Sequence, residues 1–433
     1  MNIIERSRRF VQNLRALAQR SVWDWRHCPK CGSSWTIKNG GYWRRPWTLS
    51  GRQSVRIQRH WCYVCSRSYP EEQAWLVRGS WYARAVHRQA VDWWMHGRST
   101  LRRIAEMLRS TMGHQERWLM WHPWEEGAAR PEACHFGAST LQRWLDGAGR
   151  RVREQACGQW AGVASSGQMG TDGLWARFRA GGKGVVLTPD WIGGDSVTQV
   201  IWAVVVAAKE ESTRGWEQLF QQAKVAGLAW ETLNGLTSDG AQGLLAYLRL
   251  ALSWVHQQRC VWHFWRSLAP ELARAVAQGV KGLAKDAAQS AAQTLRQELT
   301  ALLHAVIDAP TFEQAERALQ ALAKHPLGHD LAQKVNAQLD RLLFYRLDCH
   351  RGLGRTGPEW LWRDFRARPS RGRNHGTAVR EERAASLWMV YHNFTPAQRR
   401  LERKRHYKHP GQSPLEVAGS VLEGVSYLDA LQI

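Results

Sequence analysis

Four cysteines stand in two C-x-x-C pairs, Cys28 and Cys31 in "HCPKCG" and Cys62 and Cys65 in "WCYVCSRSY". A C-x-x-C turn points two thiolates at one ion, and two such turns complete a closed, tetrahedral zinc site. The start, "MNIIERSRRF", lacks the apolar core of a signal peptide. Eight cysteines in 433 residues do not make a disulfide scaffold, so the spacing favours one structural zinc ion. A second set of residues is acidic. Asp172 lies in "GQMGTDGLW" and Asp239 in "TSDGAQGLLAYL". Asp-Gly is good turn chemistry on any fold, so Asp239 reads locally as a turn residue. Converging carboxylates, however, also supply the hard oxygen ligands and the negative charge that magnesium (or manganese) needs.

The elements that must position the cysteines are short. Between the pairs lie two strand-like runs, "WTIKNGGYW" and "SVRIQRHW", joined by basic and Gly-containing turns. That is the layout of a zinc ribbon, assigned to residues 1–78. Arg44, Arg45, Arg56 and Arg59 lie between the cysteine pairs and favour DNA as its ligand. Residues 79–160 have helical periodicity. Ala85, Val86, Ala90, Val91 and Trp94 keep one apolar face, "HGRST" breaks it, and Ser99 or Thr100 can cap the next helix, Leu101–Leu108. "GASTLQRWLDGAGRRVREQ" opens with another Ser/Thr cap and sets Gln142, Arg143 and Arg150 on one exposed side. Helix, turn, helix and a basic third helix is the plan of a DNA-binding helix-turn-helix. An ordinary helical hairpin is the bland alternative.

Charge supports a polyanion partner. The net charge is +23, and residues 1–100 carry 18 Lys and Arg against 5 Asp and Glu, residues 351–433 15 against 8. Basic ends around a near-neutral middle suit phosphate contacts; a solvated Arg-rich surface is the other reading. No run of about 18 apolar residues is present, so no membrane span is expected. The expected location is cytoplasmic, in association with the nucleoid.

The acids need a sheet. From Asp172 onward the pattern reads strand, strand at Gly184–Leu187, strand at Gln199–Ala207, helix, short strand ending at Asp239, helix, and a strand in "HQQRCVWHFW". "VIWAVVVAA" is apolar throughout, as a strand buried on both faces should be. Asp190 and Asp195 fall in a Pro/Gly-rich stretch and read as turn residues. Three strands, helix, strand, helix, strand is the order of an RNase H-like fold. Its nuclease members carry one Asp on the first strand and one at the end of the fourth, the places of Asp172 and Asp239.

The segment "TSDGAQGLLAYL…QQRCVWHFW" resembles the Mutator-like group of DDE transposases. In that group the second Asp sits in a D-G turn after a strand, and a C-x-x-H pair, here Cys260 and His263, follows about two dozen residues later. A long all-helical insertion then precedes the helix with the third acid. Residues 266–350 look like that insertion. The resemblance implies two magnesium (or manganese) ions held by Asp172, Asp239 and a glutamate in "GRNHGTAVREERAASLW". Glu382 is favoured, with Glu381 the alternative. By the same resemblance His263 contacts a scissile phosphate or a ligand carboxylate, while Cys260 is also well explained as a packed core residue. The tail "RRLERKRHYKH", with Arg403, Lys404 and Arg405, reads as a phosphate-binding arm or as an exposed charged helix end. "PLEVAGSVLEGVSYLDAL" reads as a closing helix.

The expected architecture is therefore α/β: zinc ribbon (1–78), helix-turn-helix (79–160), first part of an RNase H-like core (161–265), helical insertion (266–350), and core completion with a basic tail (351–433). The implied function is DNA strand cleavage at transposon ends and strand transfer into target DNA. The protein would act as a homo-oligomer on terminal repeats and target DNA. A DNA-binding regulator with an inactive core and an RNase H-like nuclease without strand transfer are the rivals.

Overall fold

A computed structural model describes residues 26–97, 99–112, 136–155, 158–180, 184–195, 198–206, 212–350, 352–358, 361–362, 365, 377–396, 411–422, 424–431 and 433. The chain divides into two compact units. One comprises 1–163, 177–185 and 363–433, the other 164–176 and 186–362.

In the first unit, β1 (Thr36–Arg44) pairs antiparallel with β4 (Val55–Cys62), and β4 with β5 (Arg67–Pro70). Between β1 and β4 sits the small ladder of β2 (Trp47–Thr48) and β3 (Gly51–Arg52). A bulge between Lys38 and Gly41 interrupts β1. Gly40 there has φ +65°, and a side chain at Gly41 would meet the Ile57 carbonyl at 2.8 Å. "NGG" is thus needed for the bulge itself.

Three helices follow: α1 (Arg84–Gly97), α2 (Leu101–Met112) and α3 (Ala138–Glu154). Each buries one stripe at helical spacing: Ile104, Ala105, Leu108 and Met112 on α2, and Leu141, Leu145, Ala148 and Val152 on α3. Thr100 caps α2, its hydroxyl accepting from the Arg103 N–H at 3.2 Å. The expected Ser/Thr cap of α3 is not formed. Gly137 occupies that place without a side-chain bond, because the helix starts one residue ahead of Ser139.

A later helix, Ala378–Phe394, lies against α3 and is buried on every side from Ala384 to Phe394. A helix without a polar face is an interior helix. Its Trp388 is fully buried, and truncation there would cost about 3–5 kcal/mol. The tail closes the unit with two short helices, Pro414–Val417 and Tyr427–Ala430, rather than one. Each has its own Ser capping box, and Gly419 and Gly424 between them have positive φ. Arg88 pairs with Asp429 at 2.8 Å, and the Tyr427 hydroxyl donates to Asp92 at 2.7 Å, tying this tail to α1.

The second unit is built on a five-stranded sheet. Its strands are β6 (Gln168–Ala180), β7 (Gly184–Asp195), β8 (Ile201–Val206), β9 (Gly235–Ser238) and β10 (His256–Arg259), in spatial order β10-β9-β6-β7-β8; 177–180 of β6 and 184–185 of β7 fall in the first unit. β9 runs parallel to both β6 and β10, and β7 antiparallel to β8. Numbered from β6, the order is 3-2-1-4-5. β8 is buried from Ile201 to Val205, as its unbroken apolar run requires. Helices α4 (Thr213–Ala226) and α5 (Gln242–Ala251) are the crossovers on either side of β9.

Two local expectations fail here. Asp190 and Asp195 lie on β7, not in a turn, because that strand continues in register with β8 from Asp190↔Val206 to Gly194↔Ile201. A bulge at Gly193/Gly194 absorbs the glycines. And β10 stops at Arg259: "VWHFWRSLAPELARAVAQG" is helix α6 (Val261–Gly279), with Val261, Phe264 and Leu268 on its buried stripe. A short apolar run does not distinguish strand from helix until its i, i+3, i+7 spacing is followed onward.

Helices α7 (Lys285–Ile307), α8 (Phe312–Lys324), α9 (His329–Asn336) and α10 (Leu339–Leu343) continue from α6 and share a core with it. Leu299, Leu303, Val306, Leu322, Val335 and Leu342 are among its members. The helical segment thus buries its own apolar stripe and carries a core of its own. We number the first unit's later helices α11 (Ala378–Phe394), α12 (Pro414–Val417) and α13 (Tyr427–Ala430). No described helix is long and apolar enough to cross a membrane.

Candidate active site and metal centre

The cysteine centre gathers at one end of the β1–β4 pair, where the start of β1 at Thr36 is level with Cys62, the last residue of β4. The sulfurs of Cys28 and Cys65 are 3.5 Å apart, those of Cys31 and Cys62 3.6 Å. All four lie within 4.8 Å of one another. Four zinc–sulfur bonds of about 2.3 Å in a tetrahedron place sulfurs in this range. Gly32 (φ +74°) lets the first turn close, with the Cys28 carbonyl accepting from the Gly32 N–H at 2.9 Å. The thiols are electrostatically unequal. Desolvation opposes ionisation of Cys28, but bonds from the Cys31 and Lys30 backbone and from neighbouring thiols outweigh it and lower its pKa to about 6. Desolvation and the other thiols push Cys65 up to about 12. One thiolate beside reluctant thiols is a donor set that a divalent cation relieves. Among the described residues, these four are the one group of three or more such ligands close enough to share an ion.

The acids sit at one end of the second unit's sheet. β6 and β9 pair in parallel as Gln168↔Gly235, Met169↔Leu236 and Gly170↔Thr237. Continued by two residues, past the end of β9 at Ser238, that register would set Asp172 level with Asp239; neighbouring strands are spaced about 4.8 Å apart. Asp172 is only 5% exposed, and its backbone carbonyl accepts from the Trp362 indole at 3.4 Å. Asp239 is half-buried at the exit of β9. One of its carboxylate oxygens accepts from the Ala241 N–H at 3.0 Å, an Asx turn. The turn depends on Gly240, which has φ +78° and leaves no room for a Cβ against the Arg259 side chain.

Helix α6 brings its first turn to the same place. His263 Nε2 stands 3.9 Å from an Asp172 carboxylate oxygen. The His263 ring meets that of Trp262 edge-on at 4.7 Å, and the Arg266 guanidinium lies over Trp262. Cys260 is wholly buried, and its sulfur accepts from the Gly357 N–H at 3.3 Å. The core explanation of Cys260 therefore suffices.

Arg259 is a site residue that pattern reading missed. It pairs in register with Ser238, one residue before Asp239. Desolvation lowers its pKa, and the charge of Asp239 opposes that shift. The parallel β9–β10 register was the signal that would have found it.

The candidate glutamates lie in the first unit. Thr377 caps α11, accepting from the Arg380 N–H. Glu381 is 6% exposed. Glu382 forms an ion pair with Arg153 of α3, and Arg380 pairs with Asp146 of the same helix at 3.3 Å. Gly149 lets α3 approach, since a Cβ there would meet the Arg383 carbonyl at 2.6 Å.

Of the basic residues expected to meet DNA, Arg45, Arg56, Arg59, Arg143 and Arg150 are exposed. Arg44 is partly covered and donates to the Ser80 carbonyl. Gln142 bonds Asp146 at 3.0 Å, and Arg150 pairs with Glu154 at 3.7 Å. Arg403, Lys404 and Arg405 lie outside the described residues.

Residues 195–335 match the family model described as Transposase, Mutator family. The match supports a Mutator-like transposase. It takes in Asp239, Cys260, His263, Arg259 and most of the helical segment; Asp172, both glutamates and the four cysteines fall outside it. No curated protein matches the chain.

Proposed function

We propose that this protein is a DNA transposase that cuts strands at transposon ends and joins them to target DNA, using an RNase H-like acid site. The observation that carries the reading is the parallel β6–β9 pairing from Gln168↔Gly235 to Gly170↔Thr237, whose continuation would set Asp172 level with Asp239. The 3-2-1-4-5 strand order and the Mutator-family match around Asp239 support it. Asp172, Asp239 and a glutamate of α11, Glu382 or else Glu381, would hold two magnesium (or manganese) ions. Hard carboxylate oxygens fit that role, and neutral groups would leave the charge uncompensated. Bound there, the ions would lower the pKa of a nucleophilic water or 3′-hydroxyl and stabilise the leaving oxygen. The chain's own residues do the positioning. The Asx turn fixes the Asp239 carboxylate, and His263 lies where it can orient Asp172 or meet a phosphate oxygen. The Arg259 guanidinium offsets negative charge beside Asp239. Cleavage and joining are both phosphodiester displacements, so one site serves both.

The cysteine centre would hold one structural zinc ion. We assign the ribbon (1–78) and the three helices (79–160) to recognition of end repeats, through Arg44, Arg45, Arg56 and Arg59 and through Gln142, Arg143 and Arg150. The core would comprise 161–265 and 351–433, with 266–350 inserted. Pairing two ends calls for a homo-oligomer on DNA.

The engagement of Glu382 by Arg153 favours a second reading, a DNA-binding regulator whose core does not cut. A strand-transfer assay with labelled end DNA separates the readings. The transposase gives magnesium-dependent cleaved and joined products, and Asp239→Ala loses both by more than about 100-fold, since even outer partners of a metal ligand cost about 10–100-fold. Binding without cleavage would leave the regulator; cleaved product that is never joined would leave a nuclease.

A further inference from the structure

A groove of about 1230 Å³ runs through the first unit between the ribbon and helices α1 and α3. It exceeds the roughly 300–1,000 Å³ of small-molecule pockets. Seven arginines and two glutamates, Glu71 and Glu72, line it. Two of the arginines are unusual. Among the described residues, the Nε atoms of Arg84 and Arg151 are buried with no hydrogen-bond partner. Among the described residues neither guanidinium has an ion-pair partner. Burial, and then neighbouring arginines, lower both pKa values, against weaker opposing charges from Glu72 on Arg84 and Glu154 on Arg151. His87 beside them is held neutral by burial and by these same two cations. Its Nε2 is bonded to the Ser80 hydroxyl at 2.9 Å, and its ring stacks on Trp144 at 3.5 Å.

Partly buried cations without partners are costly to keep, and an anionic ligand would remove that cost. The walls say which anion. Trp43 and Trp81 line the same groove and are 68% and 70% exposed. Exposed flat rings beside arginines are the combination that holds unpaired nucleotides, by stacking on bases and pairing with phosphates. Bases within a duplex already stack on one another and offer these rings no face. We propose that this groove binds a single-stranded stretch of DNA, with a backbone phosphate against Arg84 and Arg151 and unstacked bases on Trp43 and Trp81. The inference rests on the DNA-processing reading above, and it adds an unpaired strand to the duplex that the ribbon and helices would bind.

The test uses the full chain loaded with zinc, in anisotropy titrations with a labelled oligothymidylate of about 12 nucleotides and with a labelled duplex of about 20 base pairs. R84M and R151M remove the charge and keep the bulk. Each is expected to weaken oligothymidylate binding about tenfold or more. Duplex binding should stay within about threefold and the melting temperature should not fall, because no native partner is lost. W81A should lose part of the tryptophan quenching that the oligonucleotide causes, the rest coming from Trp43. Oligothymidylate affinity within about twofold of wild type in both arginine variants would overturn the proposal, as would a marked fall in melting temperature in both. Wild-type chain that binds the duplex but not the oligothymidylate overturns the groove alone. Wild-type chain that binds neither removes the DNA-processing reading with it.

Discussion

The cysteine centre and the acid site are assembled in opposite ways. The four thiols come from 38 consecutive residues of one unit, Cys28 to Cys65, and two tight turns suffice to bring their sulfurs within 4.8 Å. The acids come from distant chain. Asp172 and Asp239 are 67 residues apart, and what would bring them together is the crossover helix that returns β9 parallel to β6. The candidate glutamates belong to the other compact unit, where Glu382 is held by Arg153 of α3. A centre made by local turns can be self-sufficient. A centre made by strand register exists only when the sheet does.

This contrast can be broken at either end. The largest effect is expected at the cysteines. Stripping zinc, or Cys62→Ser, should unfold the ribbon, because a structural zinc is worth about 10–16 kcal/mol to a small metallodomain. Metal content and circular dichroism would show it, and a ribbon that keeps its structure without metal would remove the centre's self-sufficiency. At the acid site, Glu382→Gln should reduce cleavage by more than about 100-fold and Glu381→Gln by far less. The reverse order would transfer the third-acid role to Glu381 and leave Glu382 as the partner of Arg153.

A smaller effect is expected where α3 holds α11. Gly149→Ala should cost about 1–3 kcal/mol in denaturant unfolding, since its methyl group would push into the Arg383 carbonyl. An unchanged midpoint would show that the two helices are not tightly joined. The last effect appears only on acidification. His87 has a pKa of about 3 in the fold against about 6.5 unfolded. The unfolded chain therefore takes up a proton that the fold refuses. Its contribution is intact above pH 6.5 and is lost as pH falls from there toward 3, by about 2 kcal/mol at pH 5. His87→Phe should flatten the fall in melting temperature between pH 7 and 5 relative to wild type; identical profiles would contradict it.

Legibility in the sequence followed the same divide. The cluster of four cysteines was readable because C-x-x-C spacing is itself the geometry. The order of strands and helices was readable because β8 is apolar throughout and α4 and α5 keep helical spacing. What escaped were features set by partners rather than by neighbours. His263 read as a strand residue because "CVWHFW" is apolar in every register, yet it opens a helix whose stripe continues to Val276. Asp190 read as a turn because Pro and Gly adjoin it, yet pairing with Val206 holds it in a strand. Arg259, Arg84 and Arg151 gave no local sign, since their settings are made by distant chain.

The most direct test of the central claim replaces the hard ligand at Asp239 with a soft one. Cleavage of labelled end DNA by Asp239→Cys would be measured in magnesium and in manganese. The account predicts no cleavage with magnesium, which takes oxygen ligands, and partial return with manganese, which tolerates sulfur better. Undiminished cleavage by Asp239→Cys in magnesium would contradict it.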